Sequence, residues 1–328
     1  MITVTLYLKK ECSLCEEVLL DLKALQPKIP HTLATVDIET DSELKKAFAT
    51  RVPVLVVGPY TLSAPFDRRR IEATLAAARD RQDQLAADPK KMARPAVKSG
   101  QSDRFGIWLS RNYLRLLNLL LAIYVGLPFL APVLMKAGFP GLARPIYSMY
   151  GAVCHQLAFR SWFLFGEQPI YPRASADLGG YETFQQATGI DETDPTKLLE
   201  ARQFVGNEQL GYKVAYCQRD IAIYGAMLVF GLLFAATGRR IPPLHWSLWI
   251  LIGIAPIALD GFSQLLSQFQ GFSFWEYRES TPLLRTVTGM LFGLTTAWFG
   301  FPLLEESMAE TRLEYAAKHA RRAAKPKD

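Results

Sequence analysis

The chain has 328 residues, of which 50% are hydrophobic and 21% are charged, and its formal net charge at pH 7 is +6. This length has room for about two domains. The basic residues lie beside apolar stretches and in the last residues (Arg321, Arg322, Lys325, Lys327), where anionic lipid headgroups attract positive charge. The charge balance therefore does not indicate nucleic-acid binding.

Hydropathy divides the chain in two. Residues 1–110 have the composition of a soluble protein, and long apolar runs begin near Leu116. The first residues alternate as in a strand and do not form the charged and apolar segments of a signal peptide, so we expect the N-terminal domain to stay in the cytoplasm. The predicted divisions are a soluble domain at 1–85, a linker at 86–110, a membrane domain at 111–306 with an external insert at 166–218, and a basic cytoplasmic tail at 307–328.

The N-terminal domain alternates strand and helix patterns. β-Branched residues alternate in 3–8, and apolar residues recur at helical spacing in 15–25. The predicted elements are a strand at 3–8, a helix at 15–25, a strand at 33–38, a short helix at 42–49, a strand at 52–57 and a helix at 68–85. This order predicts a small α/β domain with a mixed sheet.

Cys12 and Cys15 follow the first strand and open the first helix. The N-terminus of a helix stabilises a thiolate through its free N–H groups and its dipole. We therefore expect Cys12 to be an exposed nucleophile and Cys15, one turn later, to resolve a mixed disulfide. Pro53 opens a later strand, and a cis bond there would let its backbone receive an extended substrate.

This domain resembles the glutaredoxin-like branch of the thioredoxin fold. The resemblance covers about residues 1–85 and is carried by the strand at 3–8, Cys12-Ser13-Leu14-Cys15, Val36-Asp37-Ile38 and Arg51-Val52-Pro53-Val54. It implies thiol–disulfide exchange with protein partners by Cys12 and Cys15, with Pro53 lining the site. Glutathione is not implied as a cofactor, because Ser-Leu replaces the usual Pro-Tyr and the usual glycine pair followed by an acid is absent.

Two other roles for the CxxC motif remain open. The two cysteines would be half of a zinc site if further ligands lay nearby, but no second CxxC or suitable histidine follows in this part of the chain. The domain would otherwise serve only to dock partners, without turnover.

The second half is predicted to be an all-α polytopic domain. Its four candidate membrane spans are 116–135, 221–237, 246–259 and 287–304. A fifth apolar stretch, 146–165, carries His155, Gln156 and Arg160 near its centre, and these side chains would be costly in hydrocarbon. We therefore expect 146–165 to be an interfacial or re-entrant helix. Five glycines are expected to allow close helix packing: Gly225, Gly231, Gly253, Gly289 and Gly293.

The basic residues predict the orientation of the spans. Arg111 precedes the first span, Arg239 and Arg240 lie between the second and third, and the basic tail follows the fourth. Four spans put all three groups on one side, and positive residues favour the cytoplasmic side. We therefore expect a multi-pass protein of the plasma membrane with both termini in the cytoplasm.

Polar residues of the membrane half gather beside the predicted spans and not within them. Such convergence is typical of a functional site in a membrane protein, because each of these side chains would be costly facing lipid. The predicted membrane polar cluster, at the outer face, consists of Cys154, His155, Gln156, Arg160, Cys217, Arg219, Asp220, Asp260, Gln264, Arg278, Glu279 and Arg285.

These residues resemble the signatures of a bacterial membrane-protein family catalogued as domain of unknown function 2085. The matching motifs are Cys154-His155-Gln156, Cys217-x-Arg219-Asp220, Asp260-Gly261-x-x-Gln264, Arg278-Glu279-Ser280 and Arg285-x-x-Thr288-Gly289. The resemblance covers about residues 145–305. Many members carry a further cysteine where this chain has Asp220, and the family implies no established reaction.

The chemistry of the cluster has three interpretations. Cys154, His155, Cys217 and Asp260 form a mixed S/N/O set suited to zinc or another thiophilic metal. Alternatively, Cys154 and Cys217 form a disulfide on the oxidising side of the membrane, or they are only small packing residues. No cofactor follows with certainty from the sequence.

The acidic residue Asp260 has two interpretations of its own. With Arg219 or Arg285 it would form a buried ion pair that holds the spans in register. Alternatively, the same carboxylate would bind a substrate.

Three hypotheses of function follow. The first is a membrane-anchored thiol–disulfide oxidoreductase that uses the cytoplasmic CxxC motif. The second is a metal-handling or transport protein with a redox-sensing domain. The third is an accessory subunit of a larger membrane complex.

Overall fold

The computed structural model describes residues 2–40, 44–45, 48–49, 51–87, 101–192, 194–267 and 278–323. The chain forms two compact units: Met1–Asn112 with Glu306–Asp328, and Tyr113–Glu305. Both boundaries between the units fall inside helices. The change from soluble to apolar composition along the chain therefore does not coincide with the end of a helix.

The first unit contains a four-stranded mixed sheet with helices packed against it. Its elements are β1 (Ile2–Leu8), α1 (Ser13–Leu25), β2 (His31–Asp37), β3 (Val54–Val57), β4 (Tyr60–Ser63) and α2 (Arg68–Ala87). The strand order is β2-β1-β3-β4, with β1 parallel to β2 and the other pairs antiparallel. This is the thioredoxin-like arrangement that the sequence predicts.

The alternation of residues in β1 explains its central place in the sheet. Val4 and Leu6 are fully buried and pack in one core with Leu22 of α1 and Leu75 of α2. Tyr7 points to the other face and lies in a separate buried cluster. Each fully buried aliphatic side chain contributes about 1.5–3 kcal/mol, so both faces of β1 stabilise the domain.

The structure adds one strand that the sequence analysis does not predict. β3 begins at Val54, and a two-residue turn at Gly58 and Pro59 joins it to β4, which pairs Tyr60 with Val57. Gly58 has a φ of 58°, a conformation that glycine adopts readily and that tight hairpins require. The predicted helix at 42–49 falls largely outside the described residues.

The first long helix begins earlier than the sequence predicts. α3 covers Gln101–Lys136, so the last ten residues of the predicted linker at 86–110 are helical; 88–100 lie outside the described residues. Ser110 is fully buried, and its carbonyl accepts a hydrogen bond of 2.7 Å from Arg312 Nη1. Long-range packing therefore supports a helix that local composition does not indicate.

The predicted basic tail at 307–328 is helical for most of its length, because the last helix, Pro282–Ala323, continues into it. Leu313 and Ala316 lie three residues apart on one face of this helix. They pack against the buried cluster that contains Tyr7. Apolar residues at helical spacing thus order a segment whose overall charge suggests a solvated tail.

The second unit combines long helices with a small sheet. Its elements are α3, α4 (Pro140–Gly151), β5 (Ser161–Leu164), α5 (Phe184–Thr188), α6 (Leu198–Gln203), β6 (Gly206–Asn207), β7 (Gly211–Cys217), α7 (Gln218–Ala236), α8 (Trp246–Ser267) and α9 (Pro282–Ala323). Among the described residues, four helices (α3, α7, α8 and α9) are long and apolar enough to cross a bilayer. This confirms the predicted membrane domain.

The third span extends beyond its predicted end. The apolar run predicts an end at 259, because Asp260 and Gln264 interrupt it. In the structure α8 continues to Ser267, and both polar side chains are buried. Arg219, Arg278 and Ser280, which come from other segments, satisfy the side chain of Asp260 within the helix.

The predicted interfacial helix at 146–165 is wrong in its second half. α4 ends at Gly151, and β5 begins ten residues later, at Ser161, and pairs with β7. Between them Gln156 has a φ of 50°, a left-handed conformation that cannot continue a helix. His155 and Gln156 therefore lie in the turn after α4, and Arg160 ends a short 3-10 helix that follows it.

Helix packing in this unit depends on glycines at close backbone approaches. A Cβ atom on Gly293 of α9 would overlap the backbone carbonyl of Ile223 in α7. Gly289 lies in a similar contact with the carbonyl of Arg219, whereas Cβ atoms on Gly231 and Gly253 would meet the side chains of Asn118 and Thr295. Gly225 differs, because a Cβ atom there would meet nothing within 4 Å.

We expect Gly293→Ala to destabilise the protein by about 1–3 kcal/mol, because the added methyl group would collide with a backbone that cannot rotate away. Thermal unfolding of the purified protein in detergent measures the effect. Gly225→Ala is the matched control and should leave the melting temperature unchanged or raise it, because alanine favours a helix by about 1 kcal/mol over glycine. An equal fall in melting temperature in both variants would contradict the prediction that Gly293 is needed for close packing.

Candidate functional site

The CxxC motif sits at the N-terminus of α1. Cys12 is the N-cap residue, and its Sγ accepts a hydrogen bond of 3.2 Å from the backbone N–H of Cys15. Cys12 is partly exposed, whereas Cys15 is buried. The two cysteines form a disulfide. One accessible and one protected sulfur is the arrangement that thiol–disulfide exchange requires.

Pro53 and the CxxC motif lie at the same end of the strands of the sheet. β1 pairs with β3 in a register that sets Tyr7 opposite Val54. The chain leaving β1 toward Cys12 and the chain entering β3 through Pro53 therefore meet at one end of these strands. The Val52–Pro53 bond is cis, as the sequence analysis expects, and Pro53 itself is buried.

The membrane polar cluster largely surrounds one cavity. Nine of its twelve residues line a space of about 290 Å³ together with Val153 and Leu157. The three that do not, Asp260, Arg278 and Glu279, take part in ion pairs beside it. The sequence prediction that distant segments converge here therefore agrees with the geometry of the described residues.

Gln156 anchors the turn that carries Cys154 and His155. Its Nε2 donates hydrogen bonds to the carbonyls of Tyr147 and Ala215, at 2.9 and 2.6 Å. Its own carbonyl accepts a hydrogen bond of 2.8 Å from Nζ of Lys213 in β7. These contacts attach the turn to α4 on one side and to β7 on the other.

Lys213 is a buried charged residue beside the site that the sequence does not single out. Its side chain is fully buried, and Nζ donates to the carbonyls of Gln156 and Arg202, at 2.8 and 2.5 Å. Burial lowers the pKa of Lys213 to about 7. Its position in a strand of the insert does not indicate burial, because only the fold shows which carbonyls the side chain approaches.

Cys154 and Cys217 are free thiols that lie side by side. The hydrogen bond from Cys217 lowers the pKa of Cys154, although burial opposes that effect. The same hydrogen bond and burial raise the pKa of Cys217. The Sγ of Cys217 also lies 3.0 Å from a carboxylate oxygen of Asp220. Cys154 is therefore the more acidic thiol of the pair.

Glu279 is the centre of a buried charge network. Its carboxylate accepts two hydrogen bonds from Arg160, at 2.8 and 3.0 Å, and is paired with Arg173 and Arg285. Burial alone would raise the pKa of Glu279, but the three arginines more than compensate and the net pKa is lowered. This carboxylate therefore joins the turn after α4, the insert and the start of α9.

Asp260 forms the second buried ion-pair group. Its carboxylate is paired with Arg219 and, at 3.0 Å, with Arg278. Ser280 Oγ donates a further hydrogen bond of 2.7 Å. The predicted pairing with Arg219 is thus present, whereas Arg285 pairs with Glu279 instead. The structural interpretation of Asp260 as an ion-pair residue agrees with these contacts.

The structure corrects the predicted set of metal ligands. Among the described residues, one group of side chains could hold a metal ion, and it consists of Cys154, Cys217 and Asp220. His155 lines the cavity but is not part of this group, and Asp260 is occupied by arginines. Asp220 follows Cys217 by one helical turn in the sequence, but only the folded chain shows that Cys154 joins them and that arginines occupy Asp260.

Comparison with known proteins identifies both halves of the chain. Residues 3–76 match the family described as Glutaredoxin-like domain (DUF836), and residues 207–299 match the family described as Predicted membrane protein (DUF2085). This chain joins a glutaredoxin-like domain to a DUF2085 membrane domain. The fusion predicted from the sequence is thereby confirmed.

A relative is similar to more than half of the chain, and its description names no reaction. The chain is 24% identical over 207 residues to Uncharacterized protein MJ1492 of Methanocaldococcus jannaschii, an alignment that covers 60% of this chain and 96% of the relative. No solved structure matches the chain. Together, the two family matches and the four apolar helices describe a membrane-anchored protein of redox type that resides in a lipid bilayer.

We expect Glu279→Gln to destabilise the protein by about 3–5 kcal/mol, because three arginines, two of them buried, would lose their counter-charge. The pKa of Glu279 is lowered in the folded protein. Its stabilising effect should therefore be complete above the unfolded-state pKa of about 4.3 and disappear as the pH falls through the folded-state pKa. Thermal unfolding across this pH range measures the difference.

The control for this prediction is Glu200→Gln. Glu200 pairs with Lys197 on the surface, and both side chains are exposed. Such a pair is worth about 0–1 kcal/mol. If Glu279→Gln lowered the free energy of unfolding no more than Glu200→Gln does, the buried network would not stabilise the membrane unit.

Proposed function

We propose that the protein is a membrane-anchored thiol–disulfide oxidoreductase that uses Cys12 and Cys15. The observation that carries this proposal is the disulfide at the N-terminus of α1, with Cys12 partly exposed and Cys15 buried. A purely structural disulfide would not need an accessible sulfur at a helix N-terminus. Such a position instead favours the thiolate of Cys12 after reduction.

The proposed reaction moves two electrons from the protein to a disulfide substrate. The Cys12 thiolate attacks one sulfur of the substrate disulfide, forms a mixed disulfide and releases the other sulfur as a thiolate. The Cys15 thiolate then attacks Cys12 Sγ, which releases the second substrate sulfur and leaves the Cys12–Cys15 disulfide. A reduced thiol or dithiol of the cytoplasm returns both cysteines to the reduced state.

Pro53 is proposed to position the substrate. It lies at the end of strands β1 and β3 from which the CxxC loop emerges. A disulfide substrate that reaches Cys12 would therefore lie beside Pro53. The proposed partners are proteins that undergo thiol–disulfide exchange.

We also propose that both ends of the chain lie in the cytoplasm. Four spans bring both ends to one side of the bilayer, and Arg239 and Arg240 in the short connection between α7 and α8 lie on that side as well. Basic residues near spans are retained on the cytoplasmic side. The membrane polar cluster would then face outward.

The wild-type protein in detergent should reduce the disulfides of insulin when a dithiol reductant is supplied, and Cys12→Ser should abolish this activity by removing the nucleophile. Cys15→Ser should retain the first step and accumulate the mixed disulfide, which non-reducing electrophoresis detects. Cys154→Ser is the matched control and should keep full activity, because that thiol belongs to the other unit. Reduction by Cys12→Ser at the wild-type rate would exclude the proposed role of Cys12.

Topology can be measured independently of activity. A reporter that fluoresces only in the cytoplasm should fluoresce when fused after Asp328, and a reporter that is active only outside the cytoplasm should be active when inserted near Gly180. Gly180 suits an insertion because it is exposed and a Cβ atom there would meet nothing within 4 Å. The opposite pair of signals would reject the proposed orientation.

A further inference from the structure

Three side chains from two separate segments bring soft and hard donor atoms together in the membrane unit. The Sγ atoms of Cys154 and Cys217 and a carboxylate oxygen of Asp220 all lie within 4.8 Å of one another. A tetrahedral zinc ion, with bonds of about 2.3 Å to sulfur and 2.0–2.2 Å to oxygen, holds its ligand atoms roughly 3.5–3.8 Å apart. Small side-chain rotations are therefore enough to close the three atoms around one ion.

The surrounding structure already fixes these donors. Cys217 is the N-cap residue of α7, and Asp220 lies in its first turn, so a spacing of three residues puts both on one helical face. Cys154 is held by the turn that follows α4, where its Sγ accepts a hydrogen bond of 3.4 Å from the N–H of Gln156. Lys213 in turn holds the carbonyl of Gln156. A site supported in this way does not need to be assembled by the ion.

The presence of the carboxylate distinguishes a metal site from the two other interpretations of the thiols. A disulfide or a packing contact between Cys154 and Cys217 has no use for the oxygen of Asp220, which lies 3.0 Å from Cys217 Sγ. Two thiolates and one carboxylate would carry a charge of −3 in a partly buried place. A divalent cation reduces that charge to −1, which the arginines that line the adjoining cavity can offset.

The cavity also determines how the coordination shell would be completed. All three donor residues line the space of about 290 Å³, and so do Arg160, Arg219 and Arg285. Structural zinc sites use four protein ligands, whereas sites with three protein ligands keep one position for water or a bound molecule. A fourth ligand from the cavity would be water or a small anion, because arginine side chains favour negative charge.

We propose that Cys154, Cys217 and Asp220 bind one thiophilic divalent cation of the zinc class, with the fourth coordination position open to the arginine-lined cavity. The ligands are two thiolates and one carboxylate. Binding therefore displaces up to two thiol protons to solvent and involves no change of oxidation state. This site is separate from the CxxC motif, so its function does not depend on the proposed exchange reaction.

The test uses the purified full-length chain in detergent, reduced and freed of metal by a chelator. Titration with zinc should reach one tightly bound ion per chain, measured by elemental analysis after removal of excess metal. Titration with cobalt(II) should produce near-ultraviolet charge-transfer bands, which report thiolate–cobalt bonds. No stoichiometric zinc, or cobalt binding without these bands, would overturn the proposal.

Variants separate this site from the other thiol pair. The double variant Cys12→Ser/Cys15→Ser should keep the zinc and the cobalt bands, whereas Cys154→Ser or Cys217→Ser should lose both. Loss of the bands in the CxxC variant alone would overturn the assignment.

Asp220→Asn keeps the size of the side chain and tests the carboxylate without creating a cavity. It should weaken zinc binding by at least about tenfold. Zinc should also raise the melting temperature of the wild-type protein, and it should do so less for Asp220→Asn at the same concentration. Equal zinc affinity in the wild type and Asp220→Asn would exclude the carboxylate as a ligand and contradict the proposal as stated.

Discussion

The membrane unit depends on the pairing of charges that cannot be left alone away from water. Glu279 is 4% exposed and forms ion pairs with Arg160, Arg173 and Arg285, which come from three different segments. An ion taken out of water costs several kcal/mol unless its partners replace the lost hydration. This requirement fixes how the turn after α4, the insert and the start of α9 meet, and the cavity exists because they meet there.

The two pairs of cysteines show two ways in which a chain brings sulfur atoms together. Cys12 and Cys15 are neighbours through a single helical turn, so their arrangement is local and survives any change in distant packing. Cys154 and Cys217 are 63 residues apart in the sequence and approach each other only because the turn at Gln156 is bound to β7. The first pair suits repeated opening and closing, and the second suits a fixed site.

The sequence predicted elements well where one local pattern dominated and poorly where partners came from afar. Apolar runs predicted the four spans, and the alternation of apolar residues predicted β1, which contains Val4, and the strands beside it. The continuation of α8 past Asp260 could not be predicted, because a carboxylate ends an apolar run unless its partners are known. The end of α4 before Gln156 had the same cause, since the contacts that stabilise its left-handed backbone come from other segments.

The sequence by itself determined that a glutaredoxin-like domain is joined to a membrane domain, because a CxxC motif after a strand and long apolar runs are local features that no distant contact can remove. Only the tertiary structure decided that Cys154 joins Cys217 and Asp220, and that Asp260 does not. Asp220 and Asp260 look alike in the sequence, because each is an acidic residue beside a predicted span. In the folded chain arginines neutralise Asp260, and one helical turn brings Asp220 to Cys217. The physical reason is that the environment of a carboxylate depends on the charges folded around it, and these come from segments far apart in the chain.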